Sequence, residues 1–389
     1  MKRFLLLTLS VTFTLIVIGT LIFGPSFVDN QINQISPHPP FEVSEKAQKL
    51  HKDLLIGDWH ADSTLWNRVL SNQYDYGHVD IPRLQKGNVA LQMFTSVSKS
   101  PRGQNYKSNE TSTNDNITSL VILQRWPIKT WSSLTERVIY QASKIHTLAK
   151  QDSQNFMLIL SQSDLTEFIK KRNFNSDLIG GLLGTEGSHA LDGDLKNIER
   201  LFNEGFRMMS LQHFFDNKLG GSLHGTSGKG LTIFGQEAIK EMLRLGIMID
   251  VSHSSENVVQ DVLDLSHEPI LVSHTGFYGH CPSARNISDS LMKEIAKKGG
   301  LVAIGFWKAA VCDNTPKSVA EAIQYGIELI GAKHVALGSD FDGAVLPGFD
   351  SSELIAITHE LLEAGVEESD IRLVMGENML NYLKKNIDN

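Results

Sequence analysis

Histidine and acidic residues follow short apolar segments at six places along the 389-residue sequence. The residues nearest the ends of these segments are Asp58, His60 and Asp62, then Glu186, His213, His253 and His274, and finally Asp340 and Asp342. Imidazole and carboxylate groups suit Zn²⁺, and to a lesser degree Mn²⁺ or Co²⁺. If the fold brings these segments to one place, the residues predict a metal site.

The His60-Ala61-Asp62 motif has a spacing that suits a single metal ion. Side chains two positions apart in an extended segment point in the same direction, so His60 and Asp62 can both reach one ion. Asp58 immediately precedes the motif and is predicted to orient an imidazole by hydrogen bonding. A single His-x-Asp motif is weak evidence, so the prediction depends on the whole set of residues.

Two residues near the predicted ligands are assigned structural roles. His189 lies three positions after Glu186 but beyond the end of the apolar segment, and Asp342 is predicted to stabilise the turn that follows Asp340. Further histidines are expected to be hydrogen-bonded residues of the core or the surface: His51, His78, His224, His267, His280 and His334.

The candidate ligands need elements that bring their segments together. Eight apolar segments are predicted to be strands, at Leu54–Ile56, Val89–Thr95, Leu178–Gly184, Met208–Leu211, Ile247–Asp250, Ile270–Ser273, Leu301–Gly305 and Val335–Gly338. Most are separated by segments with helical periodicity, and this alternation indicates parallel strands. Eight such units favour a closed (β/α)₈ TIM-type barrel, which carries its active site, here the predicted metal site, at the carboxyl-terminal face of the strands. The alternative, a doubly wound sheet, would be expected to carry a Gly-x-Gly-x-x-Gly motif after an early strand, and the sequence has none there.

Residues 98–130 interrupt the alternation of strands and helices. They are rich in Ser, Asn, Thr and Lys and contain almost no core-forming pattern. Long segments of this kind inside a compact domain are usually functional or mobile. We therefore predict a surface insertion after the second strand, in a position to cover the barrel mouth.

The N-terminus has the composition of a membrane-spanning segment. The 20 uncharged residues from Phe4 to Phe23 are long enough to cross the roughly 30 Å hydrocarbon layer as a helix. Lys2 and Arg3 would keep the N-terminus in the cytoplasm and place the rest on the extracytoplasmic side, periplasmic or extracellular. A cleaved signal peptide is the alternative, but its apolar region would be shorter, and Gly24-Pro25-Ser26-Phe27 is a poor cleavage site.

The sequence therefore divides into three parts. Residues 1–28 form the N-terminal signal anchor, and residues 29–43 form a polar, proline-bearing linker. Residues 44–389 form the (β/α)₈ domain with its surface insertion at about 98–130. The C-terminus has no apolar tail, so a lipid anchor at that end is not expected.

Charge and cysteine content exclude some classes of function. The formal net charge is −8, with no long basic run after residue 30, which gives no electrostatic basis for binding nucleic acid. Cys281 and Cys312 allow at most one disulfide and lack the Cys-x-x-Cys spacing of a thiolate zinc site. Two cysteines do not decide between a reducing and an oxidising compartment.

These residues together resemble the membrane dipeptidase family, the renal-dipeptidase-like zinc peptidases among the metal-dependent hydrolase barrels. The resemblance runs from about Ser44 to Leu383. It is carried by Asp58-Trp59-His60-Ala61-Asp62, Gly184-Thr185-Glu186-Gly187-Ser188-His189, Gly230-Leu231-Thr232 with Phe234-Gly235, Ile249-Asp250-Val251-Ser252-His253, Ser273-His274 followed by Ser283-Ala284-Arg285-Asn286, and Gly338-Ser339-Asp340-Phe341-Asp342-Gly343. The set as a whole is highly specific, although a lone Ser-His is weak.

The resemblance implies a binuclear site with two Zn²⁺ ions per chain. His60 and Asp62 would bind one zinc, and His253 and His274 would bind the other. Glu186 would bridge the two ions.

The resemblance also implies which residues handle the substrate, a dipeptide. His213 corresponds to the family's substrate-facing histidine, and Arg285 to the arginine that takes the C-terminal carboxylate. Asp340 corresponds to the acid near the metals and the substrate amine. The family also suggests a homodimer. The chain departs from the mammalian members because it lacks their multiple cysteines and their C-terminal anchor signal and carries the 98–130 insertion, which affects anchoring and substrate preference rather than the chemistry.

These features predict a zinc-dependent dipeptidase that hydrolyses the peptide bond with a metal-bridged hydroxide. His213 would stabilise the oxyanion, Asp340 would pass a proton to the leaving amine, and Arg285 would pair with the substrate carboxylate. A related binuclear hydrolase that acts on a cyclic amide, lactam or lactone would have the same barrel and metals. A non-catalytic, membrane-tethered binding protein would have lost some of the ligands.

Overall fold

Parallel strands surrounded by helices form the centre of the structure, a computed structural model that describes residues 2–387. The described residues contain nine strands: β1 (Ile56–Ala61), β2 (Val89–Val97), β3 (Phe156–Leu158), β4 (Ile179–Glu186), β5 (Phe206–Ser210), β6 (Met248–Asp250), β7 (Leu271–Thr275), β8 (Leu301–Ile304) and β9 (Val335–Leu337).

Eight of these strands close into a barrel, in the order β1, β2, β4, β5, β6, β7, β8 and β9. All neighbouring strands are parallel, and β9 pairs with β1 at Asp58 and Leu337. The pairing of Leu91–Val97 with Gly180–Glu186 joins β2 directly to β4. The prediction of a closed (β/α)₈ barrel is therefore confirmed.

Strand β3 is not predicted by the sequence. Its three residues pair with Ile179–Gly181 at the beginning of β4, whereas β5 pairs further along β4 at Leu183–Thr185. Strand β3 thus lies outside the ring of eight. A three-residue segment is too short to show a strand periodicity, so only its contact with β4 defines it.

Helices occupy the segments between the strands and both ends of the described chain. They are α1 (Lys2–Ile32), α2 (Glu45–Lys52), α3 (Ile81–Lys86), α4 (Asn116–Leu123), α5 (Lys129–Ser132), α6 (Leu134–Gln151), α7 (Gln162–Arg172), α8 (Lys196–Asn203), α9 (Ile233–Arg244), α10 (Glu256–Leu265), α11 (Asp289–Lys297), α12 (Lys308–Val311), α13 (Pro316–Ile330), α14 (Ile355–Glu363), α15 (Glu368–Arg372) and α16 (Asn378–Asn386). Several begin after a residue whose side chain accepts a hydrogen bond from the first turn, as Ser161, Thr232 and Thr315 do for α7, α9 and α13.

Neighbouring residues of a strand belong to different hydrophobic clusters. Met93 and Leu182 are in one cluster, whereas Phe94 and Leu183 are in another. Successive side chains of a strand point to opposite faces, so one cluster fills the barrel and the other lies between strands and helices. Leu182 is on the same face of β4 as Glu186, which places the filled interior directly beneath Glu186.

Helix α1 contains the apolar N-terminal segment. Residues Thr8–Ile32 are long and apolar enough to cross a membrane, and no other helix within residues 2–387 has both properties. A signal sequence near the N-terminus has the same features. Large apolar side chains such as Phe13 and Phe23 are exposed along it.

The last turn of α1 packs against the barrel domain. Asp29 Oδ2 accepts a hydrogen bond from Arg68 Nε at 3.0 Å, and both side chains are buried. The carbonyl oxygen of Asn33, also buried, accepts a hydrogen bond from the Gly77 amide at 3.0 Å. The sequence predicts a linker from residue 29, but the helix continues to Ile32 because these contacts hold its last turn.

The insertion at residues 98–130 contains helix α4 and the first residues of α5, and it has a small core of its own. Ile117, Val121 and Trp126 pack with Leu65 and Trp66, which follow β1. The spacing of Ile117 and Val121 is that of one face of a helix. Polar residues dominate the first half of the insertion and obscure this short apolar pattern in the sequence. The prediction that the insertion has almost no core residues therefore holds only for that first half.

Candidate metal centre and active site

The predicted site residues lie together at the carboxyl-terminal end of the barrel strands. His60 is in β1, Glu186 is the last residue of β4, and His274 is in β7. The sequence places all three just after their strands, because the apolar pattern ends where the inward-facing side chains become polar. His213 and His253 follow β5 and β6.

The carboxylate of Glu186 is the centre of the cluster. Its Oε1 atom lies 3.5 Å from His60 Nε2, 3.2 Å from His253 Nε2 and 3.4 Å from His274 Nε2. Its Oε2 atom lies 3.4 Å from His213 Nε2. All of these side chains are buried. One carboxylate that faces nitrogen donors from several strands has the arrangement of a bridging ligand.

The potential ligand atoms form three overlapping groups, and within each group the atoms lie within 4.8 Å of one another. Two groups share Glu186: one adds His60 and Asp62, and the other adds His213 and His253. The third group consists of His60, Asp250 and His274. His274 connects the two groups that share Glu186, because its Nε2 atom is 2.9 Å from His253 Nε2 and its ring centroid is 3.7 Å from that of His60. Two adjacent metal positions are compatible with this overlap.

The donor atoms fit a bound cation. His253 Nε2 and His274 Nε2 are close enough to share a proton or to face a common ion. His60 Nε2 is buried and makes no hydrogen bond to any other residue of the described chain. Nitrogen lone pairs that converge with carboxylate oxygens are the donor set of zinc sites.

The charges of the site also favour a cation. Burial lowers the pKa of His60, but Glu186, Asp62 and Asp340 oppose this effect and raise the pKa to about 10. Burial raises the pKa of Glu186, but attraction by His213 and interactions with His253 and His274 bring it well below its usual range. The pKa of His60 therefore rises because acidic groups surround its buried ring and attract a positive charge there.

His253 and His274 are neutral imidazoles, the form that binds metals. Burial lowers the pKa of both rings well below its usual range, and repulsion by Arg285 contributes to both shifts. For His274 the positive charge of His60 contributes more than that of Arg285. A neutral ring offers a nitrogen lone pair without first losing a proton.

Asp250 orients two of the imidazoles through Ser273. The Ser273 hydroxyl donates to Asp250 Oδ2 at 2.7 Å, and its oxygen lies 2.9 Å from His60 Nδ1 and 3.0 Å from His274 Nδ1. A hydroxyl has one proton, so both rings must donate to the oxygen through Nδ1–H. With a metal ion bound, each ring would therefore turn an unprotonated Nε2 towards the ion.

The prediction that Asp58 orients an imidazole is wrong. Asp58 accepts hydrogen bonds from the Ser339 amide at 2.8 Å, the Ser339 hydroxyl at 2.7 Å and Gln92 Nε2 at 2.9 Å. It therefore joins β1 to the loop after β9. Asp250 has the expected role instead, and its only sequence signal is its position beside Ser252-His253.

We expect Asp250→Asn to weaken metal binding by about 10- to 100-fold, the usual effect of losing a partner that orients a metal ligand. The amide keeps the volume but loses the charge that accepts hydrogen bonds from Ser252 and Ser273. Competition with a chelator measures the change. Asp261→Asn is the control, because Asp261 also accepts a backbone hydrogen bond but lies on the outer helix α10. Equal metal retention in the two variants would contradict the role of Asp250.

A cavity of about 60 Å³ lies beside Glu186. Its walls include Arg285 and Asp340, which the sequence predicts to contact substrate, and Tyr106 and Phe214, which it does not predict. Tyr106 comes from the insertion, and its hydroxyl accepts a hydrogen bond from Trp307 Nε1 at 3.0 Å. No sequence signal distinguishes Tyr106, because only the fold brings the insertion over the barrel mouth.

Arg285 is held beside the ligands by backbone carbonyl groups. Its two terminal nitrogens donate to the carbonyl oxygens of Ser252 at 2.9 Å and His274 at 2.8 Å. The side chain is 1% exposed and lines the cavity. Both bonds go to residues next to or within the ligand set, so the guanidinium has a fixed position relative to His253 and His274.

A disulfide between Cys281 and Cys312 braces the loop that carries Arg285. It joins this loop, which follows β7, to the residue after α12. Asn286 Nδ2 adds hydrogen bonds to the Cys281 carbonyl at 2.9 Å and the Ala310 carbonyl at 2.8 Å. The sequence allows at most one disulfide, and this disulfide is present in the structure.

Asp340 lies in a turn with an uncommon backbone conformation. The φ angles are 61° at Asp340, 62° at Asp342 and 59° at Ala344. Residues other than glycine rarely adopt such values, and they cluster at functional sites when they do. Burial raises the pKa of the Asp340 carboxyl well above its usual range, although His60 and Arg285 oppose the shift.

Asp342 stabilises this turn, as the sequence predicts. It accepts hydrogen bonds from the Ser63 hydroxyl at 2.6 Å and the His78 amide at 2.8 Å, and it pairs with Arg68 at 2.7 Å. The same Arg68 binds Asp29 of α1. The turn that carries Asp340 is therefore connected by buried ion pairs to the end of the N-terminal helix.

The two histidines nearest the ligand set have packing roles. His189 is buried with its ring edge against Phe215 at a centroid distance of 5.8 Å. His224 stacks on Phe214 at 4.9 Å and lies 5.2 Å from His253. Both agree with the structural roles that the sequence predicts, although His224 is closer to a ligand than its position in the sequence suggests.

Comparisons with known sequences identify the family. The family model described as membrane dipeptidase, peptidase family M19, matches residues 44–388. The chain is also 28% identical over 356 residues to dipeptidase aclJ from Aspergillus oryzae, which covers 84% of this chain and 77% of that protein.

Solved structures share the fold. A metallopeptidase from Rhodobacter sphaeroides, liganded with a phosphinate mimic of the dipeptide L-Ala-D-Ala, has a TM-score of 0.70 at 22% identity and covers 86% of this chain and 99% of that chain. The probable dipeptidase PvdM from Pseudomonas aeruginosa has a TM-score of 0.72 at 17% identity and covers 87% of this chain and 97% of that chain. Since the family model spans almost the whole barrel domain, the chain belongs to the membrane dipeptidase family, peptidase family M19, and is a metal-dependent peptide-bond hydrolase.

Proposed function

We propose that this chain is a dipeptidase with two zinc ions, one held by His60 and Asp62, the other by His253 and His274, and both by Glu186. The observation that supports this most directly is the Glu186 carboxylate, whose two oxygens face imidazole nitrogens at 3.2 to 3.5 Å. When bound, two zinc ions supply an activated water molecule near neutral pH and polarise the peptide carbonyl.

His213 is positioned to stabilise negative charge on the substrate's carbonyl oxygen. Its Nδ1 atom donates to the Lys99 carbonyl at 2.8 Å, which leaves Nε2 directed into the site. A neutral ring has one proton, so only the doubly protonated ring can also donate from Nε2. His213 would need this doubly protonated form to donate to the developing oxyanion.

Asp340 holds the proton for the leaving amine. It lines the same cavity as Glu186 and His213, and burial raises its pKa, which favours the protonated carboxyl. The Asp340 carboxylate would take a proton as water is activated, and its raised pKa would retain that proton until the leaving nitrogen accepts it, so it would act as general base and then general acid.

Arg285 sets the length of the substrate. Its guanidinium is fixed by two backbone carbonyl groups, and a planar guanidinium matches a carboxylate with two parallel hydrogen bonds. The free C-terminal carboxylate of a dipeptide would bind here while its peptide bond lies over Glu186.

Helix α1 anchors the enzyme in a membrane, with the barrel domain on the extracytoplasmic side. The length and exposed apolar side chains of the helix support the anchor, and Lys2 and Arg3 at its start support the orientation. The Cys281–Cys312 disulfide suits an oxidising compartment. Two such chains associate as a homodimer in this proposal, which rests on the family alone.

Hydrolysis of a dipeptide panel, with and without a chelator, tests the function. Dipeptides should be cleaved, tripeptides and amidated dipeptides should be poor substrates, and zinc should restore activity after chelation. A hydrolase of cyclic amides, lactams or lactones would instead prefer substrates without a free carboxylate, and it would leave the panel uncleaved. Zinc content per chain, measured on the same preparation, tests the stoichiometry.

Arg285→Ala should lower kcat/KM for dipeptides by roughly 10- to 150-fold, because a charge-assisted pair of hydrogen bonds contributes about 1.5–3 kcal/mol. The preference for free over amidated dipeptides should shrink by a similar factor, and metal content should not change. Arg285→Lys should recover only part of the activity, because lysine restores the charge but not the planar pair of N–H donors. The ratio of the kcat/KM values for free and amidated dipeptides is an internal control, because misfolding would lower both values equally. An unchanged ratio in Arg285→Ala would contradict the assignment.

A further inference from the structure

Helix α1 leaves the barrel domain at a defined place. A Cβ atom at Gly24 would lie 3.0 Å from Leu123 Cδ1, so α1 and the end of α4 touch there. Beyond Gly24, Asp29 and Asn33 bind the loops at the barrel mouth. Before Gly24, Phe23 is 72% exposed, and the apolar stretch continues towards the N-terminus. The turn that follows α4 is therefore the part of the domain next to the emerging apolar helix.

This turn exposes apolar and basic side chains together. We call residues 122–131 the α4–α5 corner. Ile122 is 41% exposed, Ile128 is 75% exposed and Trp131 is 36% exposed. Arg125 and Lys129 are exposed between them. Large apolar residues with an aromatic ring and cations are the composition of segments that lie in a membrane interface.

The corner is rigidly attached to the barrel domain. Trp126 is buried and its Nε1 atom donates to Asn67 Oδ1 at 3.2 Å. Trp131 Nε1 donates to the Trp126 carbonyl at 3.1 Å, and Gln124 Nε2 donates to the Leu65 carbonyl at 2.9 Å. The exposed side chains are thus held outward by a fixed backbone.

We propose that the α4–α5 corner rests in the phospholipid headgroup layer of the membrane that α1 crosses, with Ile122, Ile128 and Trp131 inserted and Arg125 beside the phosphates. Lys129 pairs with Glu136, so Arg125 is the cation that meets the lipid. The proposal rests on the membrane anchor proposed above. Two attachments, a helix and a surface patch, fix the tilt of the barrel, so its mouth opens next to the bilayer.

Fluorescent probes on the full-length enzyme in vesicles test this contact. We would attach an environment-sensitive probe to single-cysteine variants Ile128→Cys, Phe13→Cys and Phe174→Cys, since both native cysteines are in a disulfide. The vesicles contain phosphatidylcholine and phosphatidylglycerol. Phe13 reports on α1, and Phe174 is the matched control, because it is 94% exposed and lies just before β4, at the opposite end of the barrel.

In vesicles, a probe at residue 128 should be several-fold more fluorescent than a probe at residue 174. Lipids spin-labelled near the headgroup should quench the probe at residue 128. A probe at residue 13 should be quenched by lipids labelled in the acyl chain. If residue 13 is quenched but residue 128 is as accessible to aqueous iodide as residue 174, the corner does not touch lipid although the anchor stands. If neither residue 13 nor residue 128 is quenched by lipid, both the contact and the anchor are wrong. Dipeptide hydrolysis by the same preparations is independent of these outcomes.

Discussion

Replacing Glu186 by Gln should abolish binding of both metal ions, with affinity falling at least about 100-fold at each position, because loss of a group that merely orients a ligand already costs 10- to 100-fold. The amide has the same shape as the carboxylate but brings an NH₂ group against unprotonated imidazole nitrogens on one side. It also removes the negative charge that three histidines face at 3.2 to 3.5 Å on Oε1. Dipeptide hydrolysis should disappear with the metal.

Elemental analysis and dipeptide hydrolysis of Glu186→Gln, measured beside Glu237→Gln, test this prediction. Glu237 is exposed on α9, outside the barrel, so its amide should retain full metal content and activity. Loss of about half the metal in Glu186→Gln would show that Glu186 serves one ion only. Full metal content with full activity would remove Glu186 from the site.

Asp340→Asn should lower kcat by about 10²- to 10⁴-fold, the usual contribution of a positioned proton-transfer group. Asparagine tolerates the left-handed backbone that Asp340 adopts, with φ of 61°, so the turn should keep its conformation. KM and metal content should change little, because Arg285 and the ligand set are intact. An alanine variant would confound these effects, since alanine is strained at this φ angle.

An activated ester analogue of the dipeptide separates proton transfer from other roles of Asp340. Its leaving group departs without a proton, so Asp340→Asn should lose much less activity towards the ester than towards the dipeptide. Equal losses for the ester and the dipeptide would mean that Asp340 positions the substrate or the metals. Unchanged activity towards both would exclude it from the mechanism.

The strand pattern predicts the barrel well but misplaces its chemically active ends. Apolar alternation identifies all eight barrel strands, and the polar residues that follow mark the carboxyl-terminal face. The pattern ends early at His60, Glu186 and His274, which belong to the strands themselves. A strand end that carries inward-facing ligands has no apolar signal, so its hydrogen bonds alone define its length.

The residues that orient the metal ligands are harder to predict from the sequence than the ligands themselves. Asp58 and Asp250 look equivalent in the sequence, since each is an acid two or three positions before a histidine. In the fold, Asp58 faces Ser339, whereas Asp250 faces Ser273 and through it two imidazoles. The difference depends on which neighbouring strand each carboxylate meets, and residue spacing contains no information about that.

The ligand types, the order of strands and helices and the apolar N-terminal segment can all be read from the amino-acid sequence, because side-chain chemistry and periodicity are local properties. Which groups come into contact depends on the three-dimensional packing. Ser273 contacts His60 across 213 positions, and Asp342 contacts Ser63 across 279. The packing also determines that the insertion lines the cavity with Tyr106 and that α1 docks through Asp29. Such contacts form only when barrel closure brings distant loops to one face, so their geometry follows from the packing of the whole domain.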